Sequence, residues 1–150
     1  MSLLSHILLL RNYVEVKAVV VNTLILGSGY LGTQLKKDLG AKALGVSRSG
    51  AGDLNLDLSH AESFSKLPRQ VKDIVFAVSP NDSSLEAYKK AYHQILTLSI
   101  DYAKSIPQLS RFIFISSTGV YGVDDGSWVD ETNELEKKEH QKLSLKLKNY

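Results

Sequence analysis

The apolar run Leu24-Ile25-Leu26 leads without a spacer into Gly27-Ser28-Gly29-Tyr30-Leu31-Gly32, and a helix-like segment follows. That order asks for a strand, a tight turn and a helix in succession. Each of the three glycines, spaced G-x-G-x-x-G, has a use at a dinucleotide pyrophosphate. Gly27 lets the chain turn sharply out of the strand. Gly29 carries no Cβ, so a phosphate can approach the backbone. Gly32 lets the helix pack closely on the sheet. Amides at the helix N-terminus then point at the anion. The same spacing also occurs in purely structural turns, so the flanks matter. Val19 to Leu26 reads as a buried parallel strand, and Leu31, Leu35 and Leu39 recur at helical spacing. Gly27, Ser28, Gly29, Tyr30, Leu31 and Gly32 are therefore candidate cofactor contacts.

Strand and helix alternate along the rest of the chain. Ala41 to Val46 reads as a second strand and Leu54 to Leu58 as a short third one. A helix candidate spans Ala61 to Lys66, and Pro68 breaks the chain after it. Asp73 to Val78 is a continuous apolar strand, with Pro80-Asn81-Asp82-Ser83 as a turn and helix cap. A long helix is expected over Leu85 to Ser105, with Tyr88, Ala91, Tyr92, Ile95, Leu98 and Tyr102 on one face, and a last strand over Arg111 to Ser116. Such alternation implies a doubly wound parallel α/β sheet in three layers, ordered 3-2-1-4-5. Ligands of such sheets lie across the carboxyl ends of the strands where the order reverses. Those ends carry the glycines, Ser47-Arg48-Ser49, Asp57-Leu58, Ala77-Val78-Ser79 and Ser116-Ser117.

The chain has no cysteine, which excludes disulfides and thiolate metal sites. A net charge of +2 gives no argument for nucleic acid. The charge is uneven, because Lys137 to Lys148 holds five lysines and one glutamate. That segment reads either as a basic tail toward an anionic partner or as a solvated helix or frayed end. Near the start, Leu3-Leu4 and Ile7 to Leu10 form an apolar patch too short for a bilayer and without the charged start of a secretory signal. The expectation is no membrane partner, a cytoplasmic location by default, and an extension over residues 1–17 before the domain.

A site for NAD usually places an acid about 20 residues past the glycines, on the ribose 2′-hydroxyl. Here that neighbourhood is Val46-Ser47-Arg48-Ser49, without a carboxylate. Arg48 offers a fork of donors to a 2′-phosphate, and Ser47 and Ser49 add hydroxyls. The inference is NADP in preference to NAD, with a merely solvated Arg48 as the alternative. Asp57 is placed to accept from an adenine amino group, or to cap the helix that follows.

The stretch Phe112-Ile113-Phe114-Ile115-Ser116-Ser117-Thr118-Gly119-Val120-Tyr121-Gly122, taken with the glycine turn, resembles the extended short-chain dehydrogenase/reductase family of nucleotide-sugar epimerases and dehydratases. Trp128-Val129-Asp130-Glu131 is similar to that family's W-x-D-E passage. The G-x-G-Y-x-G form and Val78-Ser79-Pro80 look more like its atypical, epimerase-like branch. The resemblance covers about residues 18–132, taken as the NAD(P)-binding domain, and leaves 133–150 as a basic polar tail. It implies a Rossmann fold, hydride transfer on a hydroxyl or carbonyl substrate, and a homodimer through helix 85–105. It also implies that Ser117 is a catalytic hydroxyl on the substrate oxygen. Considered alone, Ser117 could equally satisfy a turn.

The chain departs from that family in the proton relay. Where the acid/base tyrosine is due, the sequence has Gln141 and Lys142, and the next tyrosine after Tyr121 is Tyr150. The helix-borne asparagine is replaced by the run Tyr92-His93-Gln94-Ile95, in which His93 is a candidate donor. A truncated product, a frameshifted end and a genuine short form all fit. The expectation is an oxidoreductase or epimerase represented by its cofactor half, inactive alone. The alternative is a non-catalytic NADP(H)-binding module or redox sensor.

Overall fold

The computed structural model describes residues 20–116, 123 and 125–133. Five parallel strands form one sheet in the order β3-β2-β1-β4-β5. They are β1 (Thr23–Leu26), β2 (Ala43–Ser47), β3 (Leu54–Asn55), β4 (Asp73–Phe76) and β5 (Arg111–Phe114). The expected order is therefore observed, and the fold is Rossmann-like. The strands are shorter than expected at several ends. Gly40–Lys42 forms a 3₁₀ turn that delays β2, with Gly40 at a φ of +59°. Before β1, Asn22 is already tied to the sheet, its amide donating to the Lys42 carbonyl at 2.8 Å.

Side chains alternate across β1 because successive Cβ atoms point to opposite faces. Ile25 joins Ala43 and Val75 on the face covered by α1 (Tyr30–Leu39), where Leu35 and Leu39 pack. Leu24, Leu26, Val46, Ile74 and Phe76 point the other way into the main core. Burial on both faces is why these strands read as continuous apolar runs rather than alternating ones.

The main core is roofed by the connection from β4 to β5. It runs as α2 (Leu85–Lys89), a π-helical turn (Lys90–Ile95) and α3 (Leu96–Lys104). Ser84, just past the expected Pro80–Ser83 turn and cap, caps it, accepting the Ala87 amide at 3.1 Å, while Asp82 accepts the Ser84 amide at 2.7 Å. Ala91, Tyr92, Ile95 and Tyr102 face the sheet as expected, joined by Leu96 and Ser99, while Leu98 is only partly buried. Ser99 tolerates full burial because its hydroxyl donates to the Ile95 carbonyl one turn back. Packing of this face on the sheet accounts for its surplus of apolar positions. Ala61–Lys66, expected as a helix, is a 3₁₀ segment whose Phe64 ring lies 5.7 Å from that of Tyr102.

Tyr102 carries a testable consequence. Its hydroxyl donates to the Pro68 carbonyl. Burial pushes its phenol up to about 12, against a small opposing pull from the Arg69 charge. Above pH ~10 the unfolded chain releases a proton that the folded chain keeps, so stability falls as pH rises through that window. The loss approaches about 2 kcal/mol by the upper end. Urea melts at pH 8 and pH 11 should show a steeper loss in wild type than in Tyr102→Phe. Tyr92, also raised by burial, leaves a residual slope in the variant. Equal slopes would show that Tyr102 ionises freely.

Candidate functional site

The order of the strands reverses between β1 and β4, and the glycine turn sits at that point. Gly27 has a φ of +102°, a conformation that side chains resist. A Cβ there would meet the Val78 nitrogen at 2.7 Å and the Ala77 carbonyl oxygen at 2.8 Å. The Gly27 and Ser28 amides both donate to the Val46 carbonyl at 3.0 Å, anchoring the turn on β2. At Gly32 a Cβ would lie 2.0 Å from the Gly27 oxygen, so α1 starts pressed against the turn itself. Gly29 is different, since a Cβ there would meet nothing within 4 Å. Its surroundings are open on the side where a phosphate would come.

No side chain caps the N-terminus of α1, and its first turn carries no acid. Its leading amides therefore receive no side-chain acceptor. Tyr30 and Leu31 turn their side chains to solvent, at 91% and 56% exposure. The Ser28 hydroxyl is buried and donates to the Val46 carbonyl at 3.3 Å.

A cleft runs from the glycine turn along the carboxyl ends of the strands. It is lined by Gly27, Ser28 and Gly29, by Ser47, Arg48 and Ser49, by Asp57 and Leu58, and by Ala77, Val78 and Ser79. Four separated segments expected at one site thus border one cavity. Tyr30, Leu31 and Gly32, which continue the chain from Gly29, are not among its lining residues. The Ser47–Ser49 turn is held by its own hydroxyls, 3.0 Å apart, and by the Ser49 amide donating to the Ser47 hydroxyl at 3.1 Å. With its amide nitrogen turned inward, Asn55 donates to the Arg48 carbonyl at 2.7 Å. Among the described residues the exposed Arg48 guanidinium has no ion pair.

Asp57 builds its own loop, accepting the Ser59 amide at 2.9 Å and the Ser59 hydroxyl at 2.7 Å. The Ser59 amide is the main reason its carboxyl sits below the ordinary value. Partial burial opposes, and the Ser59 hydroxyl and the charges of Lys90 and His60 assist. The 3₁₀ segment that follows begins at His60 with no side-chain cap, so Asp57 stabilises the turn ahead of it rather than its end.

The sequence pattern did not assign Lys90, Pro80, Asn81, Ala87 or Ala91 to the site, and these also line the cleft. Lys90 sits at the start of the π-helical turn and brings a second cation to the cleft. A local hint existed in the small residues Ala87 and Ala91 on either side of it, which leave the cleft room. His93 is exposed and does not line it. Ser117 and Tyr121 lie outside the described residues, as do positions 1–17 and the tail beyond Asn133. Trp128 is described and is 99% exposed. Among the described residues no group of three or more His, Cys, Asp or Glu is placed to hold a metal. No helix among them is long and apolar enough to cross a membrane.

The sequence matches no protein-family model and no curated protein. The fold is similar to that in the crystal structure of ADP-L-glycero-D-manno-heptose-6-epimerase from Helicobacter pylori, with a TM-score of 0.63 and 19% identity. The likeness covers 87% of this chain and 50% of that one, so the chain spans about half the length of that structure.

Proposed function

We propose that the chain binds a nicotinamide dinucleotide in the cleft, NADP in preference to NAD, as the cofactor-binding unit of an epimerase-like protein of the extended short-chain dehydrogenase/reductase type. One observation carries this reading. The turn required by Gly27, the open side of Gly29 and the uncapped start of α1 meet Arg48 and Lys90 at a single cleft. The fit is specific in chemistry. Amides without a side-chain acceptor and two cations suit phosphates, and the one acid among the described lining residues, Asp57, is committed to Ser59. The similar fold of the heptose epimerase supports the same reading.

In this account the amides of Gly29, Tyr30 and Leu31 hold the pyrophosphate. Arg48, Ser47 and Ser49 hold the adenosine 2′-phosphate. Asp57 and Leu58 border the adenine, and Ala77, Val78 and Ser79 line the path toward the nicotinamide half. A bound nicotinamide dinucleotide supplies a hydride donor or acceptor. Ser117 keeps the role of substrate-oxygen partner that the resemblance implies.

A second reading, binding without turnover, is favoured by the sequence at Gln141 and Lys142, where no phenol stands to move a proton. Titration with NADPH, followed by its fluorescence, is expected to saturate at a one-to-one ratio. A flat titration with both NADPH and NADH would overturn the proposal. Reduction of bound NADP+ on adding sugar nucleotides, a sugar hydroxyl being oxidised to the carbonyl as its hydride passes to the coenzyme, would decide for the enzyme over the binding module.

A further inference from the structure

Beyond the cleft-lining residues, Asp53 stands out by where its two oxygens go. Strand β3 is only two residues long and pairs with β2 at Val46 and Ser47. One residue before that pairing, the Gly45 amide is met by a side chain instead of by a strand backbone. That side chain is Asp53, Oδ2 accepting the Gly45 amide at 2.7 Å. The other oxygen, Oδ1, lies 3.1 Å from Lys36 Nζ on α1. Partial burial works to raise this carboxyl's pKa, but the Gly45 amide and the Lys36 ammonium outweigh it and hold the group ionised.

The chain just before Asp53 is laid flat on the same spot. A Cβ at Gly52 would fall 2.6 Å from the Gly45 oxygen and 2.9 Å from the Ser28 hydroxyl. The segment that carries Arg48 is thereby seated on β2, against the glycine turn and under α1. Asp53 itself does not line the cleft, and Lys36 balances its charge.

We propose that Asp53 is a positioning residue. It locks the Ser47-Arg48-Ser49 turn against the glycine turn, and so sets the cleft's preference for a 2′-phosphorylated dinucleotide. The inference rests on the dinucleotide reading for its ligand, but the lock itself has a ligand-free signature. Simple electrostatics predicts the opposite effect, since deleting an anion near an anionic ligand should tighten binding.

The test uses the full chain with Asp53→Ala and Asp53→Asn, both checked for folding by thermal melting. In Asp53→Ala, NADPH affinity is expected to fall about tenfold, the scale of a lost charge-assisted hydrogen bond, with NADH affinity changed less than about twofold. Asp53→Asn keeps an acceptor for the Gly45 amide and is expected to restore NADPH affinity to within about threefold of wild type. Trypsin, without nucleotide, should cut Arg48–Ser49 about tenfold faster in Asp53→Ala than in wild type. Equal losses for NADPH and NADH, a gain in NADPH affinity, or failure of Asp53→Asn to rescue would each overturn the specificity role. An unchanged rate of cleavage at Arg48–Ser49 would overturn the lock. If wild type binds neither nucleotide, the dinucleotide reading and the specificity role fall together, and the trypsin result alone decides the lock.

Discussion

Gly32→Ala is expected to lose about 3 kcal/mol of stability, and NADPH binding with it, whereas Gly29→Ala loses binding alone. The added methyl at position 32 would lie 2.0 Å from the Gly27 carbonyl oxygen and 3.3 Å from an Ile25 methyl. Its first obstacle is backbone, which cannot swing aside as a long side chain does. Relief must come from sliding α1 away from β1 or from opening the turn, and either movement disturbs Leu35 and Leu39 on Ile25 and Val75. In a domain of this size such a loss lowers the melting temperature by roughly 6–12 °C. At Gly29 the same methyl meets open space and costs about 1 kcal/mol or less as a change of N-cap. It does fill the approach of a phosphate to the α1 amides, and NADPH affinity should drop by about two orders of magnitude. Thermal melting and fluorescence titration of the two variants side by side separate the turn from the ligand site. If Gly29→Ala binds NADPH like wild type, no phosphate lies over that turn.

That contrast also marks what the sequence could disclose. The glycine spacing is legible because backbone geometry leaves so few residues that fit at 27 and 32. The sheet order is legible because apolar runs separated by helices allow little else. Ser47, Arg48, Asp57 and Ser79 come to one cleft because a doubly wound sheet gathers its carboxyl ends, a consequence of topology that needs no side-chain detail. What stayed hidden depends on tertiary lengths. The contact of Asp53 with the Gly45 amide stayed hidden because β3 begins only at Leu54, so that a side chain and not a strand backbone meets that amide. Lys90 matters only because its stretch of helix borders the cleft as well as the sheet, and a search for the sheet-facing stripe passes over it. The helix cap is Ser84, one residue past the Pro80–Ser83 stretch expected to turn and cap, with Asp82 accepting the Ser84 amide in the turn before it. Tyr30 and Leu31 show a further limit. Their place in the motif follows from the glycine spacing, whereas the exposure of their side chains follows from how α1 packs on the sheet.

Arg48→Ala should change the ratio of NADPH to NADH affinity by about 10- to 100-fold, almost wholly through weaker NADPH binding. The argument begins with the turn. Ser47 and Asn55 fix its backbone, so the substitution removes a guanidinium without dismantling the loop. The side chain is exposed and lines the cleft, and it has no carboxylate partner among the described residues to hold it elsewhere. A charge-assisted hydrogen bond to a phosphate is worth about 1.5–3 kcal/mol, which gives the expected range. NADH lacks the 2′-phosphate and should lose no more than about twofold. The effect should shrink as salt screens the pair, so both titrations belong at matched, low ionic strength. Asp57 offers an internal control. Its carboxylate already accepts twice from Ser59, so Asp57→Asn should weaken NADPH and NADH alike through the loop and leave their ratio near that of wild type. An unchanged ratio in Arg48→Ala would mean that Arg48 is a solvated loop arginine, and that the absence of an acid between Ser47 and Ser49 does not discriminate the two coenzymes.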